Sequence, residues 1–240
     1  MSEKKQFVAT EEAKGQAKQL RLFAMLAWII AIGGEIFAIL KLLHNEKLTW
    51  LIVTIVVILA LSITGSLLWK KANRLDPASE KDKTKFFIQN QLGAIMGVLA
   101  FLPLVIFILT NKNLDGKTKG IAGAVAVVAM LIAGITGVDF NPPSVEKYTE
   151  QINAQTDEIK RLNNGVDLVY WTNQGNKYHL DADCQHIRNR EKHQGSVQQA
   201  WKERKIGDSE LCLTCKKRAE KNQSNSLEET VEEVLEEVNE

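Results

Sequence analysis

The residues with the clearest chemical potential in this 240-residue chain lie near its C-terminus. Cys184 stands alone, Cys212 and Cys215 form a Cys-x-x-Cys pair, and these are the three cysteines of the protein. His179 precedes Cys184 with four residues between them. Thiolate and imidazole are ligands that zinc prefers, and a tetrahedral Cys3His set is a common structural site. The spacing therefore predicts a structural Zn²⁺ ion bound by these four side chains.

Several alternatives to this zinc site remain. His186 is a rival fourth ligand, but it lies two residues from Cys184, which is cramped for joint chelation, and His193 is placed less well. A disulfide is disfavoured in a reducing cytoplasm, and three cysteines without a metal are a further alternative. Four protein ligands would close the site to substrate and water. Since the sequence also shows no nucleophile–base set, phosphate loop or carboxylate pair, we predict a non-enzymatic protein with no catalytic residues.

Short elements are predicted to position these ligands. Residues 166–171 and 177–180 have strand character on either side of a turn at 173–176, which predicts a hairpin. Ser196 is a suitable N-cap for a helix through Lys205, with Gly207 as its stop. A module over residues 166–222 has little apolar core of its own, so a metal ion has a physical reason to be there. We predict a small α+β zinc-binding module of hairpin, helix and cysteine knuckle.

The order of these residues resembles the zinc module of Ada-type DNA-repair proteins, and also C-terminal modules of uncharacterised bacterial multi-pass membrane proteins. The resemblance covers about residues 166–221 and is carried by Tyr178, His179, Cys184, a helix around Ala200, and Cys212 and Cys215 before a basic stretch. It implies zinc bound by four such positions, the first of which is a cysteine that accepts a methyl group from a DNA phosphotriester. His179 stands at that position, and imidazole cannot replace the thiolate as acceptor. The resemblance therefore implies the fold and the zinc rather than repair.

Four apolar windows precede this module, at about residues 22–43, 48–69, 86–110 and 120–138. About 20 apolar residues in a helix cross the ~30 Å hydrocarbon core of a bilayer. Four such windows leave no polar face to meet water, so we predict an all-α transmembrane four-helix bundle at 22–139. The mean hydropathy of −0.13 hides this segregation. Trp50 and Trp69 stand at the ends of the second window, where amphipathic rings favour the membrane interface.

Lysine and arginine placement predicts the orientation of the bundle. The N-terminal segment 1–21 has five of these residues and the second loop six, against about two and three in the first and third loops. Because basic loops stay in the cytoplasm, the N-terminus and second loop are predicted there, and four spans return the C-terminus to the same side. We predict a multi-pass protein of the cell membrane with both termini cytoplasmic.

Two features lie inside the predicted spans. Glu35 is an ionisable group at membrane depth, which is either a transport or proton site or a helix-packing residue. Small residues spaced by four positions predict close helix packing, within one bundle rather than at a dimer seam: Gly93 and Gly97 in span three, and Ala129, Ala133 and Gly137 in span four. Pro103 is predicted to kink span three.

Residues 140–165 form the predicted linker. The prolines at 142 and 143 end the membrane part, and a seven-residue repeat follows at Val145, Ile152 and Ile159 and at Tyr148, Gln155 and Leu162. These are the a and d positions of a coiled coil, with β-branched residues at a. Two interpretations stay open: a two-stranded homo-oligomer through 145–162, or a single helix whose stripe packs onto its own chain.

The end of the chain is divided by charge. Residues 184–221 carry ten basic and five acidic side chains. They form either a basic face for a protein, anionic lipid or nucleic-acid partner, or a solvated surface without a partner. Residues 223–240 carry seven glutamates and no lysine or arginine, with apolar residues at helical spacing. We predict an acidic amphipathic tail that folds over the basic face.

Together these features predict an integral membrane protein in the lipid bilayer with a cytoplasmic, zinc-stabilised interaction module, regulatory or scaffolding in role. One alternative is a small transporter or channel using Glu35, with Gln89, Asn90 and Gln91 as further polar residues. The other is a membrane-tethered nucleic-acid-binding protein that uses the basic face of 184–221.

Overall fold

The computed structural model describes residues 6–204 and 210–239, and the chain forms two compact units. One unit is residues 11–144, and the other joins the N-terminal ten residues to residues 145–240. The first contains four apolar stretches of helix, each long enough to cross a membrane, and the second contains few, short strands and a His/Cys cluster. The predicted fold class, a four-helix apolar bundle with a small α+β module, is confirmed.

The bundle unit contains five helices: α1 (Glu11–Lys41), α2 (Leu48–Leu75), α3 (Lys83–Leu99), α4 (Leu102–Thr110) and α5 (Gly116–Gly137). Helix α1 begins eleven residues before the first predicted apolar window, at a turn that carries Glu11 and Glu12. Large apolar side chains such as Ile29 and Leu40 of α1 and Ile135 of α5 are exposed on the outside of the bundle unit. This outward apolar surface is suited to lipid rather than to water.

The third span is two helices rather than the single helix predicted over 86–110. Helix α3 ends at Leu99 and α4 begins at Leu102, with Pro103 in its first turn. A proline ring clashes with the carbonyl group four residues earlier, which here belongs to Leu99. The predicted kink at Pro103 is therefore a break, and it lies one helical turn before the proline.

Helices α3 and α5 pack at close range through their small residues. A Cβ atom added at Gly97 would lie 2.7 Å from the backbone oxygen of Ala133, and one at Gly137 would clash with the backbone nitrogen of Ala94. Neither position can accommodate a side chain. The small residues of the two helices therefore serve packing inside one bundle, which is the interpretation favoured from the sequence.

The second unit contains α6 (Val145–Leu162), β1 (Val169–Trp171), β2 (Lys177–Tyr178), β3 (His193–Gly195), α7 (Val197–Arg204), β4 (Glu210–Leu211) and α8 (Leu213–Asn239). The predicted hairpin forms through one pair, because Tyr170 and His179 exchange both backbone hydrogen bonds, at 2.8 and 2.7 Å. Strand β1 pairs antiparallel with β3, and β2 pairs parallel with β4. Neither β3 nor β4 was predicted, since each is too short to show a two-residue alternation.

The heptad stripe of α6 is buried by its own module. Tyr148, Ile152, Ile159 and Leu162 belong to one apolar core with the strands and α7. Gln155, the polar residue at a d position of the repeat, has a partner in this core: Trp201 Nε1 donates a 2.8 Å hydrogen bond to Gln155 Oε1. Of the two interpretations of this repeat, the structure shows the stripe packed onto the same chain, and a homo-oligomer through 145–162 stays a prediction.

Part of the N-terminal segment also belongs to this unit. The Phe7 ring meets the Tyr148 ring edge-on, with 5.1 Å between centroids. The Phe7 backbone N–H donates a 2.9 Å hydrogen bond to Thr149 Oγ1. This contact could not be predicted, because one aromatic residue in a polar segment has no periodicity.

The basic stretch and the acidic tail share the single helix α8, which runs from Leu213 to Asn239. Among the tail side chains that the structure describes, Glu228, Val231 and Glu232 are exposed. Folding of the tail over the basic face stays a prediction. Lys205, Gly207 and Asp208, which entered the predicted helix end and the charge balance, lie outside the described residues.

Candidate metal centre

The four predicted ligands come together in the second unit. His179, Cys184, Cys212 and Cys215 each offer one ligand atom, and these atoms lie within 4.8 Å of one another. All four side chains are buried. The sulfur of Cys215 lies 3.7 Å from Nδ1 of His179. Such a group of three sulfurs and one ring nitrogen can hold a metal ion.

Two strand ends and two turns place these side chains. His179 follows β2 and is fixed by its paired backbone bonds with Tyr170. Cys184 lies in a tight turn, since its N–H donates to the Asp181 carbonyl and its own carbonyl accepts from Ile187. The 27 residues between Cys184 and Cys212 include β3, α7 and β4, and β4 pairs with β2 directly before His179.

The cysteine knuckle is held by the parallel strand pair. The Cys212 N–H donates a 2.9 Å hydrogen bond to the Tyr178 carbonyl, one residue before His179. The Cys212 carbonyl then accepts from Lys216 at 3.0 Å, so Cys212 caps α8 and Cys215 lies in its first turn. The hydrogen bond between Tyr178 and Cys212 sets the two halves of the site side by side, and this contact was not predicted.

The pKa values of the two knuckle thiols are shifted in opposite directions. Burial raises the pKa of the Cys215 thiol to about 12. Burial also disfavours the Cys212 thiolate, but hydrogen bonds from the backbone amides of Cys215 and Thr214 outweigh it and lower the Cys212 pKa below its ordinary value. A start-of-helix position has this effect on cysteine in general. A bound cation would supply the charge that the buried Cys215 thiolate needs.

The rival histidines lie outside the cluster. His186 is exposed, and its Nε2 lies 3.2 Å from Thr214 Oγ1. His193 Nε2 lies 2.7 Å from Asn173 Oδ1, and its ring stacks on Trp171. Both rings therefore have other partners. Among the described residues, His179 is the histidine that belongs to the cluster.

The predicted basic face is partly neutralised inside the module. Lys216 forms an ion pair with Glu158 of α6, and Arg218 with Asp181 near Cys184. These contacts fasten the first turns of α8 to its surroundings. Arg188, Lys217 and Lys221 are exposed. The sequence count of ten basic residues therefore overstates the charge that is available to a partner.

Glu35, the other candidate site residue, lies in the bundle unit. Its side chain is buried, and Oε1 accepts a 3.1 Å hydrogen bond from the backbone N–H of Leu104. Leu104 is in the first turn of α4, directly after Pro103, where helix N–H groups lack partners inside the helix. Glu35 therefore occupies the broken end of the third span. Of the polar residues grouped with it, Gln89 donates to the Asp76 carbonyl and Asn90 to the Phe86 carbonyl.

Comparison of the chain with protein-family models, with curated proteins and with solved structures finds no match.

Proposed function

We propose that this chain is a four-span protein of the cell membrane that carries a cytoplasmic interaction module stabilised by structural zinc. Its role is regulatory or scaffolding rather than enzymatic. The observation that carries the proposal is the buried convergence of His179, Cys184, Cys212 and Cys215, whose ligand atoms lie within 4.8 Å of one another.

The donor set favours zinc among metal ions. Three thiolates with one imidazole are soft and borderline ligands, which suit zinc and exclude the oxygen-preferring Mg²⁺ and Ca²⁺. The resemblance to the Ada-type module supports the same ion through the order of its ligands. With four protein ligands, the role of the zinc is to hold the hairpin and the knuckle together, and the chain itself must supply any contact with a partner.

The packing of Phe7 on Tyr148 supports the proposed orientation. Residues near the N-terminus pack on the module that contains the C-terminus, so the two segments belong on one side of the membrane. Four spans between them satisfy this requirement, whereas three or five would not. The lysine and arginine distribution favours the cytoplasmic side, where thiols stay reduced and free to bind metal.

Helix α8 supports an interaction role. It begins at the metal centre, where Ala219 still packs on the module core, and continues through Asn239. Its described side chains at Glu228, Val231 and Glu232 are exposed. We infer that the metal fixes α8 at its start, and that the acidic part of α8 either folds over the basic face or, when released from it, presents a surface to a protein partner.

Metal analysis of the purified full-length protein tests the proposal. We expect one zinc ion per chain, and its loss on His179→Gln. The matched controls are His186→Gln and His193→Gln, which change the same residue type outside the cluster and should retain zinc. Full zinc content in His179→Gln together with loss in His186→Gln would reject the assigned ligand set.

A second candidate, ion or proton transport, rests on the broken third span. Discontinuous helices line substrate and ion sites in membrane transporters, and a buried ionisable group within a span is a candidate for such a site. Glu35 meets the start of α4, next to the break in the third span. Ion flux in proteoliposomes that is lost on Glu35→Gln would support it. Flux equal to that of protein-free vesicles would exclude it.

A further inference from the structure

A groove of about 490 Å³ lies in the bundle unit, near the point where α2 ends and α3 begins. Helices α1, α2 and the first turns of α3 line it, together with the residue that caps α3. Its polar lining is Arg21, Asp82, Thr84, Lys85 and Gln89, and its apolar lining is Trp69, Ile88 and Leu92. The groove belongs to neither the metal centre nor the Glu35 contact.

Polarity changes along the groove in the direction of α3. Thr84 and Lys85 lie in the first turn of that helix, Ile88 follows one turn later, and Leu92 follows after another turn. At 1.5 Å per residue, about 10 Å separates Lys85 from Leu92 along the axis. The polar end also coincides with the start of the third apolar stretch. In a bilayer spanned by these helices, the groove would therefore cross the boundary between headgroups and hydrocarbon.

The floor of the groove is fixed by hydrogen bonds. Arg21 donates from Nη1 to Asp76 Oδ2 and from Nη2 to the Asp76 carbonyl, both at 2.9 Å. Its guanidinium lies 5.8 Å from the centroid of the Trp69 ring. Trp69 Nε1 in turn donates a 2.7 Å hydrogen bond to the Gln89 carbonyl. The aromatic floor is thus held in place before any ligand arrives.

Charge at the polar end is suited to an anion. Asp82 is the acidic residue of the lining, and its Oδ1 is occupied by the Lys85 backbone N–H at 3.0 Å. The Lys85 side chain is exposed. Residues 70–85, which include the end of α2, the connection and the start of α3, carry six basic and three acidic side chains. A phosphate group near Lys85 and Thr84 would meet a net positive potential.

We propose that this groove binds an anionic phospholipid. The phosphate lies at Lys85 and the Thr84 hydroxyl, and an acyl chain follows Ile88 and Leu92 over the Trp69 ring. A soluble phosphate compound would use the polar end alone and leave the apolar end exposed. A zwitterionic lipid would offer the same phosphate, but its ammonium group would lie close to the basic residues around Lys85 and weaken the attraction. The change from polar to apolar lining, together with the basic residues nearby, favours a ligand that has both an anionic phosphate group and an apolar chain.

Native mass spectrometry of the full-length protein in detergent tests this site. Phosphatidylglycerol and phosphatidylcholine with identical acyl chains are titrated separately, and glycerol phosphate is added as a soluble competitor. Lys85→Gln removes the cation. Its matched control is Lys81→Gln, an exposed lysine in the connection before α3 that lies outside the lining. Leu92→Trp fills the apolar end, with Ile95→Trp as its control at an exposed α3 position.

We expect phosphatidylglycerol to bind more tightly than phosphatidylcholine, and Lys85→Gln to weaken it by about five-fold. Leu92→Trp should weaken both lipids, while Lys81→Gln and Ile95→Trp should change neither. Equal binding of the two lipids, or equal effects of Lys85→Gln and Lys81→Gln, would overturn the proposal. Displacement by glycerol phosphate at lipid-like concentrations would also overturn it, because the acyl contact would then contribute nothing.

Discussion

Substitution of Glu35 separates a structural role of this buried carboxylate from a transport role. The Oε1 atom accepts the Leu104 N–H at 3.1 Å, in the turn where Pro103 has removed a backbone donor and broken the helix. Glu35→Gln keeps an acceptor oxygen at nearly the same position. Glu35→Leu removes the acceptor and keeps an apolar side chain of similar size.

The structure sets the size of the expected effect. In Glu35→Leu the Leu104 N–H stays buried without a partner, which costs about 1–3 kcal/mol for a polar group away from water. Loss of a helix cap alone costs about 1 kcal/mol, so the two descriptions agree on the order of magnitude. We therefore expect Glu35→Leu to lower the free energy of unfolding by about 2 kcal/mol. Glu35→Gln should lose less than half of that amount.

Equilibrium unfolding in mixed micelles, followed by helical circular dichroism, measures both variants against the unmodified protein. Ile36→Leu is a suitable control, since Ile36 is the neighbouring residue on α1 and is exposed. Equal stability of Glu35→Leu and the parent protein would refute the capping argument. A Glu35→Gln protein that is as stable as the parent but has lost an ion flux would assign the carboxylate to transport instead.

The remaining predictions concern packing in each unit. Gly97→Ala should destabilise the bundle by about 1–3 kcal/mol, because its Cβ would lie 2.7 Å from a backbone oxygen of α5. The control is Gly134→Ala, whose Cβ would make an ordinary 3.7 Å contact. Equal stability of the two variants in the same micelle assay would contradict the close packing. Tyr178→Phe should leave the module as stable or stabilise it by about 1 kcal/mol, since its buried hydroxyl has no hydrogen-bond partner among the described residues; slower hydrogen exchange in β2 would agree and faster exchange would not. Trp201→Phe should cost more than about 1 kcal/mol, because it removes the hydrogen bond to Gln155 and puts a smaller ring in a buried position. Faster hydrogen exchange in α6 and α7 would agree, and unchanged exchange would contradict it.

Hydropathy predicted the four spans because each apolar stretch must be long enough to cross a bilayer and interrupts an otherwise polar sequence. It could not place the break in the third span. A proline predicts a kink, but whether the helix continues depends on a partner for the freed N–H groups. Glu35 supplies that partner from another helix, at a distance that the sequence does not encode locally.

The ligand positions were predicted because cysteine is rare in this chain and its spacing matches one coordination chemistry. The parallel pairing of Tyr178 with Leu211, which brings the two ligand pairs together, could not be predicted. Strands of two residues carry no periodic signal. The heptads of α6 likewise predicted an apolar stripe but not what covers it, because a coiled-coil partner and the chain's own module bury the same residues.

Reactivity of the three thiols, read together with zinc content, tests the central claim most directly. The folded full-length protein is treated with an alkylating reagent before and after a zinc chelator, and intact mass counts the modified cysteines. The proposed site predicts one zinc per chain, no rapid modification before chelation, and modification of Cys184, Cys212 and Cys215 after it. Protein without zinc, whose thiols react to the same extent with and without the chelator, would contradict the account.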